Sequence, residues 1–278
     1  MIEERFRPRN LLPYLLLLLL TSPLLLGYAW LVIATFSQRT YGLAPEGLTL
    51  DNWRMLWEFT DWRSSIWGVT LNTLVLALGL ALVVVALSAL AGYSLSRLDF
   101  VGRRGFMSLT LILHAFPSVT LLIAIYFVLR ALRLYNTIQG VILVKVALEL
   151  PLGMWLMKGF FDNVPWDIER AAMVDGAHRL RIWWQIILPL IRPGIAALAI
   201  FSFISGWNEF LIPYTFILDR QQATLAVYLQ QRVGDTRFVD YGQVAAIGLF
   251  QLLPVVIFFL FTQRYLLSIY AGGVKGGT

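Results

Sequence analysis

Residues 66–95 read IWGVTLNTLVLALGLALVVVALSALAGYSL, with no Asp, Glu, Lys or Arg among them. A helix rises about 1.5 Å per residue, so about 20 apolar residues cross the roughly 30 Å hydrocarbon core of a bilayer. This run exceeds that length, and water offers no way to cover it as an isolated element. Five further stretches of the same kind lie around it, at roughly residues 11–36, 106–129, 138–161, 194–218 and 242–261. The expected fold is an all-α integral membrane protein, with six transmembrane helices in one domain spanning residues 1–278. The first stretch is too long for a cleavable signal, is interrupted by Pro23 and is followed by no small-x-small site.

Composition agrees. The 278 residues are 59% hydrophobic and 14% charged, against about 45–50% apolar and about 25% charged in soluble domains. Cysteine is absent and histidine occurs twice, as His114 and His178. Disulfides and thiolate chemistry are thereby excluded, and neither a metal site nor a catalytic constellation is expected. There is no Gly-x-x-x-x-Gly-Lys-Ser/Thr before Lys145, Lys158 or Lys275, no His-Glu-x-x-His and no Gly-x-Ser-x-Gly. No cofactor is expected in this chain, and any nucleotide hydrolysis belongs to another polypeptide. The net charge of +6 reads as retention of Lys and Arg on one side of a bilayer rather than as a nucleic-acid surface. With the N-terminus inside, thirteen of the 22 Lys and Arg residues fall inside and eight outside, which places both termini in the cytoplasm.

Two outside loops follow from that orientation. One, at about residues 37–65, is rich in tryptophan, and the other, at about 219–241, carries a short amphipathic helix beginning at Thr224. The inside segment 162–192 is the most informative. It contains Asn163-Val-Pro-Trp-Asp-Ile-Glu-Arg-Ala-Ala-Met-Val-Asp-Gly-Ala-His. Pro165 suits a helix start, and Asp167 and Glu169 complement the dipole of the first turns. Gly176 can stop the helix in a left-handed conformation. The spacing predicts a helix of about ten residues near Trp166–Asp175, with Ala171 and Ala172 offering a surface that another protein can approach closely. Arg179, Arg181, Trp183 and Trp184 then suit a helix at the membrane interface, broken by Pro189 and Pro193 before the fifth span.

Here the sequence resembles the EAA loop of bacterial ABC importer permeases, whose pattern is Glu-Ala-Ala, three residues, Gly, nine residues, Ile-x-Leu-Pro. Ala171, Ala172, Gly176, Ile186, Leu188 and Pro189 match; Arg170 stands where the pattern has Glu, and Glu169 sits one residue earlier. Asn72-Thr-Leu, Ala91-Gly-Tyr-Ser-Leu-Ser-Arg-Leu-Asp-Phe, Leu150-Pro-Leu-Gly-Met-Trp-Leu-Met-Lys-Gly-Phe-Phe, Gly206-Trp-Asn-Glu-Phe-Leu and the tail Gly273-Val-Lys-Gly extend the likeness over nearly the whole chain. Together they resemble the MalG-type permease of maltose-class carbohydrate importers. The resemblance implies a type I importer permease fold in the inner membrane. It also implies a second, MalF-like permease, two MalK-like ATPase subunits that bind ATP and Mg, and an external solute-binding protein that delivers the sugar. Glu169, Arg170, Ala171, Ala172, Asp175, Gly176 and Pro189 would then form the coupling element seated on an ATPase.

Charges at membrane depth cost several kcal/mol on insertion scales and call for a reason. Lys145 and Glu149 share a face of the fourth span, as solute-path lining or as a self-satisfied ion pair. Trp207, Asn208 and Glu209 lie in the fifth span and read either as a sugar-binding trio or as interhelical hydrogen-bonding groups. Asn72 and Thr73 read as helix-joining groups, and His114 as a bonded packing residue. Related permeases carry polyols and glycerol phosphate as well as sugars, so those remain alternative cargoes. An ion-coupled secondary transporter is a second reading, opposed by the absence of a paired set of broken helices.

Overall fold

The computed structural model describes residues 11–41, 44–59, 61–234 and 239–273. The tail Val274–Thr278 and the N-terminal arginines, on which the orientation of the termini and the last matching motif depend, lie outside the described residues. The elements, in order, are α1 (Leu11–Thr35), β1 (Ser37–Tyr41), β2 (Ala44–Leu48), a 3-10 segment at Asp51–Leu56, α2 (Ile66–Arg97) and α3 (Arg103–His114). Then follow α4 (Leu122–Ala131), α5 (Ile138–Asp162), α6 (Trp166–Val174), α7 (Arg179–Ile182), a π-helical stretch at Trp183–Ile187 and α8 (Leu188–Leu190). The remainder is α9 (Arg192–Trp207), α10 (Leu211–Phe216), α11 (Leu225–Gly234) and α12 (Tyr241–Gly273).

Three helices are long and apolar enough to cross a membrane alone: α1 from Leu12, α2 and α5. Two bent pairs bring the number to five if each pair counts as one span. The stretch expected as a straight span at 106–129 is broken, because α3 and the helical segment 118–131 meet at 95°. Pro117 supplies the reason: it has no N–H to continue the ladder, and its ring disfavours the α region for the residue before it. The fifth apolar stretch also departs from a single rod, since α9 ends at Trp207 and α10 starts at Leu211. The approach to α9 from 179–190 turns by 75°, at the expected position of Pro189 and Pro193. Before Pro189 the turns widen to π geometry over Trp183–Ile187, which relieves the clash of the proline ring with the carbonyl four residues back.

The chain divides into two compact units. In the unit of residues 1–59 and 229–254, α1 is apolar on every side: Leu15 to Leu20 are each at least half exposed, a surface suited to lipid. Pro23 frees the Leu19 carbonyl, which accepts a 2.8 Å bond from the Ser22 hydroxyl. The antiparallel hairpin of β1 and β2, with Ser37 opposite Leu48, departs from the all-α expectation. Gly47 takes φ +67° within it, a conformation that costs a glycine little. Asn52, 7% exposed, donates to the carbonyls of Thr35 and Ser37 at 3.1 and 3.0 Å and so ties the 3-10 segment to the end of α1.

In the unit of residues 60–228 and 255–278, α2 packs along α5 and α9. Small residues set that spacing, as membrane helix contacts require. A Cβ on Gly153 would lie 2.4 Å from Ser88 Oγ, and one on Gly206 would lie 2.8 Å from Ala77 Cα. Asn72 donates to the Gln221 and Ala223 carbonyls at 2.8 and 3.0 Å, and Thr73 Oγ1 accepts from Leu225 N–H at 2.8 Å. Both residues therefore join elements, as their position suggests.

Candidate functional site

Two groups of buried charge, both in the unit of residues 60–228, organise the candidate site. The first fastens α6 to the end of α2. Helix α6 runs over nine residues and begins after Pro165. It ends in a Schellman motif: Gly176 N–H donates to Met173 O at 3.1 Å and Ala177 N–H to Ala172 O at 3.0 Å, with Gly176 at φ +83°. Any other residue at Gly176 would be strained, although the space around it is open.

One face of α6 turns inward. Ala172 packs in a cluster with Met157, Phe161, Ile182 and Ile187. Glu169 Oε1 lies 2.5 Å from Arg97 Nε, with the two side chains only 5% and 3% exposed. The remaining polar atoms are served as well. Tyr93 donates to Glu169 Oε2 at 3.1 Å and Arg97 Nη2 to Val164 O at 2.7 Å, and Arg97 lies 4.8 Å over the Trp166 ring. Ser96 donates to Asp162 at 2.6 Å, and Asp162 also pairs with Lys158. A buried pair of this kind contributes little against an apolar replacement, but losing one partner costs about 3–5 kcal/mol because a bare charge stays behind.

The other face is open. Asp167, Arg170, Ala171 and Val174, spaced three and four residues apart, are all exposed, and Val174 is 87% exposed. Arg170 lies 3.6 Å from Asp167 on this face. Asp175 and Gly176 are exposed at its end, and Pro189 is half-buried in α8. The residues singled out in the sequence thus separate into an inward set, Glu169 and Ala172, and an outward set, Arg170, Ala171, Asp175 and Gly176. Arg97 and Tyr93 were not singled out. Their signal was faint, since 72 residues separate Arg97 from Glu169 and only the fold joins them.

The second group lies between α5 and the end of α9. Lys145 Nζ is 3.0 Å from Glu149, 2.7 Å from Glu209 and 3.1 Å from the Ser205 hydroxyl. Ser205 also donates to Glu149, and Glu209 Oε1 accepts from Ile212 N–H at 3.1 Å. Lys145, Glu149 and Glu209 are thus brought together, with Ser205 as a member the sequence did not flag. Trp207 is 2% exposed and stacks on Phe203 at 5.9 Å. Asn208 donates to the Ile204 carbonyl at 3.0 Å at the end of α9.

Lys145, Glu149 and Ser205 line a cavity of about 810 Å³ bounded by α3, α4, α5 and α9. That volume falls in the roughly 300–1,000 Å³ range of ligand sites. The rest of its wall is mostly apolar, with His114 placing Nδ1 3.2 Å from the Leu148 carbonyl. Among the described residues no group of His, Asp and Glu is arranged to hold a metal ion.

The chain has relatives among known proteins. Residues 85–267 match the family described as binding-protein-dependent transport system inner membrane component. The chain belongs to that family. The permease is 31% identical over 236 residues to the trehalose transport system permease protein SugB of Mycobacterium tuberculosis, covering 84% of this chain and 85% of that one. It is 33% identical over 232 residues to the maltodextrin transport system permease protein MdxG of Bacillus subtilis, covering 82% and 81%. It is also 31% identical over 258 residues to the trehalose/maltose transport system permease protein MalG of Thermococcus litoralis, covering 91% and 92%. In fold, the permease resembles a chain in the crystal structure of a bacterial ABC transporter involved in import of the acidic polysaccharide alginate. The TM-score is 0.76 at 20% identity, over 94% of this chain and 99% of that one. The permease therefore has the ABC importer permease fold and is an inner membrane component of a transport system.

Proposed function

We propose that the permease is one transmembrane subunit of an ATP-driven carbohydrate importer. It works beside a second permease and two ATPase subunits and receives its solute from an external binding protein. The reading takes the chain as one domain of six spans with both termini in the cytoplasm. The bent pairs α3–α4 and α7–α9 then serve as two of the spans and α12 as the last. Helix α6 is the coupling helix on the cytoplasmic side, and the cavity at Lys145 belongs to the solute path.

One observation carries the coupling role: α6 is held from behind and open in front. The Arg97–Glu169 pair and the packing of Ala172 fix it to α2 and the following helices, while Arg170, Ala171 and Val174 face away from the chain's own core. A push on that open face would be carried into α2 with little give, because packed elements transmit displacement rather than absorb it. The carbohydrate cargo is supported by the named transport systems of the relatives and by the hydrogen-bonding floor of the cavity. The ATPase subunits supply the ATP and Mg chemistry.

The test is reconstitution. Proteoliposomes holding the permease pair and its ATPase should accumulate binding-protein-delivered sugar only with ATP and Mg inside the ATPase compartment. Uptake by the purified permease alone would overturn the reading.

A further inference from the structure

We infer that the cavity over Lys145, Glu149 and Ser205 admits neutral, hydroxyl-rich solutes and turns away carboxylate-bearing ones, so that the cargo is a neutral sugar or polyol rather than an acidic saccharide. The inference rests on the cavity's proposed place in the solute path and adds the chemical class of what travels there.

The argument is one of charge already committed. Among the residues lining the cavity, Lys145 is the one Lys or Arg and Glu149 the one acid. Lys145 is not available to an anion, because Glu149, Glu209 and Ser205 all lie within 3.1 Å of its Nζ. Recognition of a carboxylated sugar calls for an uncommitted cation, commonly an Arg fork, and no such group lines this wall. With Glu209, which pairs with Lys145 from behind the lining, the formal balance of the charge group is one positive against two negative.

The carboxylates are what the floor can offer. Glu149 is 19% exposed in its side chain and faces the cavity. Its Oε1 is engaged by Lys145 and Ser205, which leaves Oε2 as an acceptor toward the cavity. A sugar hydroxyl can donate to that oxygen, whereas an incoming carboxylate has no proton to give and meets like charge. The surrounding wall is apolar, and low polarity strengthens the repulsion relative to water. Selection of this kind works by penalising the wrong solute rather than by holding the right one tightly, which suits a path that must release its cargo.

The chain has no cysteine, so modification read on this chain, after its separation from the other subunits, reports one introduced thiol. Leu152 lines the cavity, is 58% exposed and follows Glu149 by three residues. In membranes carrying the whole importer, Leu152→Cys would be treated with a cationic trimethylammonium-ethyl methanethiosulfonate and with its anionic sulfonatoethyl counterpart. Each rate is divided by that reagent's rate with a small free thiol. The cationic reagent is expected to lead by on the order of tenfold. Glu149→Gln in the same background should bring the ratio toward one, and Glu149→Gln with Glu209→Gln should invert it. Equal normalised rates, or a faster anion, in the Leu152→Cys protein would overturn the inference while leaving a water-filled path in place. Failure of both reagents to reach the thiol would remove the cavity from the path, and the inference with it.

Discussion

The two buried charge groups of this permease differ in one respect that separates their duties. At the end of α2, Arg97 and Glu169 are matched one to one, almost wholly enclosed, hydrogen-bonded further by Tyr93 and the Val164 carbonyl, and covered by the Trp166 ring. Between α5 and α9, one lysine faces two glutamates, and the group borders a cavity. A matched, closed pair has nothing left to bind and acts as a fastener. An unmatched group with an open oxygen beside a cavity can exchange partners with a passing solute. Buried ion pairs therefore divide by residual bonding capacity, not by charge alone.

The comparison can be broken most severely at the fastener. Arg97→Met should leave Glu169 buried and bare, at about 3–5 kcal/mol of local destabilisation, with loss of ATP-driven uptake and a lowered Tm of the purified protein. Exchange of the pair, Arg97→Glu with Glu169→Arg, should recover part of the stability; a single variant as stable as the parent would show that the pair fastens nothing. Next in size is Gly153→Ala. Its Cβ would lie 2.4 Å from Ser88 Oγ, and overpacking of this kind costs about 1–3 kcal/mol, measurable as a lower Tm of a chain that still inserts. At the cavity, Ser205→Ala removes one hydrogen-bonding group from Lys145 and Glu149 at about 1 kcal/mol. Water from the cavity can replace that group, so uptake kinetics should change more than Tm. The smallest effect belongs to Arg170→Ala, whose partner Asp167 is 89% exposed in its side chain. Exposed pairs of this kind add little stability, and the Tm should not move even if ATPase binding does.

Much of the frame was legible in the sequence because its causes are local. Long uncharged runs mark spans, Pro165 and Gly176 mark the ends of α6, and Pro189 and Pro193 mark the turn into α9. The bend at Pro117 was equally local but was read as the interior of a span, because hydropathy averages over the break. The hairpin of β1 and β2 went unread, since strands of five residues are too short to carry much periodic signal, and β2 is exposed along its whole length. The site divided along the same line. Lys145 and Glu149 were legible as a pair on one helix face, but the meeting of Glu209 with Lys145 depends on how α5 packs against the end of α9. Trp207 read either as part of a sugar-binding trio or as an interhelical group; it is buried and stacks on Phe203. Ala171 and Ala172 look alike in sequence, yet one turns outward and the other into the core, because helical phase is fixed only when α6 docks.

That phase is what the central claim depends on, and Val174→Asp examines it directly. The residue is 87% exposed, so the folded permease should tolerate the charge with an unchanged Tm and normal membrane insertion. With the importer's ATPase co-expressed, the account predicts that the variant permease no longer co-purifies with it and imports no sugar. Undiminished co-purification and uptake would contradict the assignment of this face of α6 as the surface on which the ATPase acts.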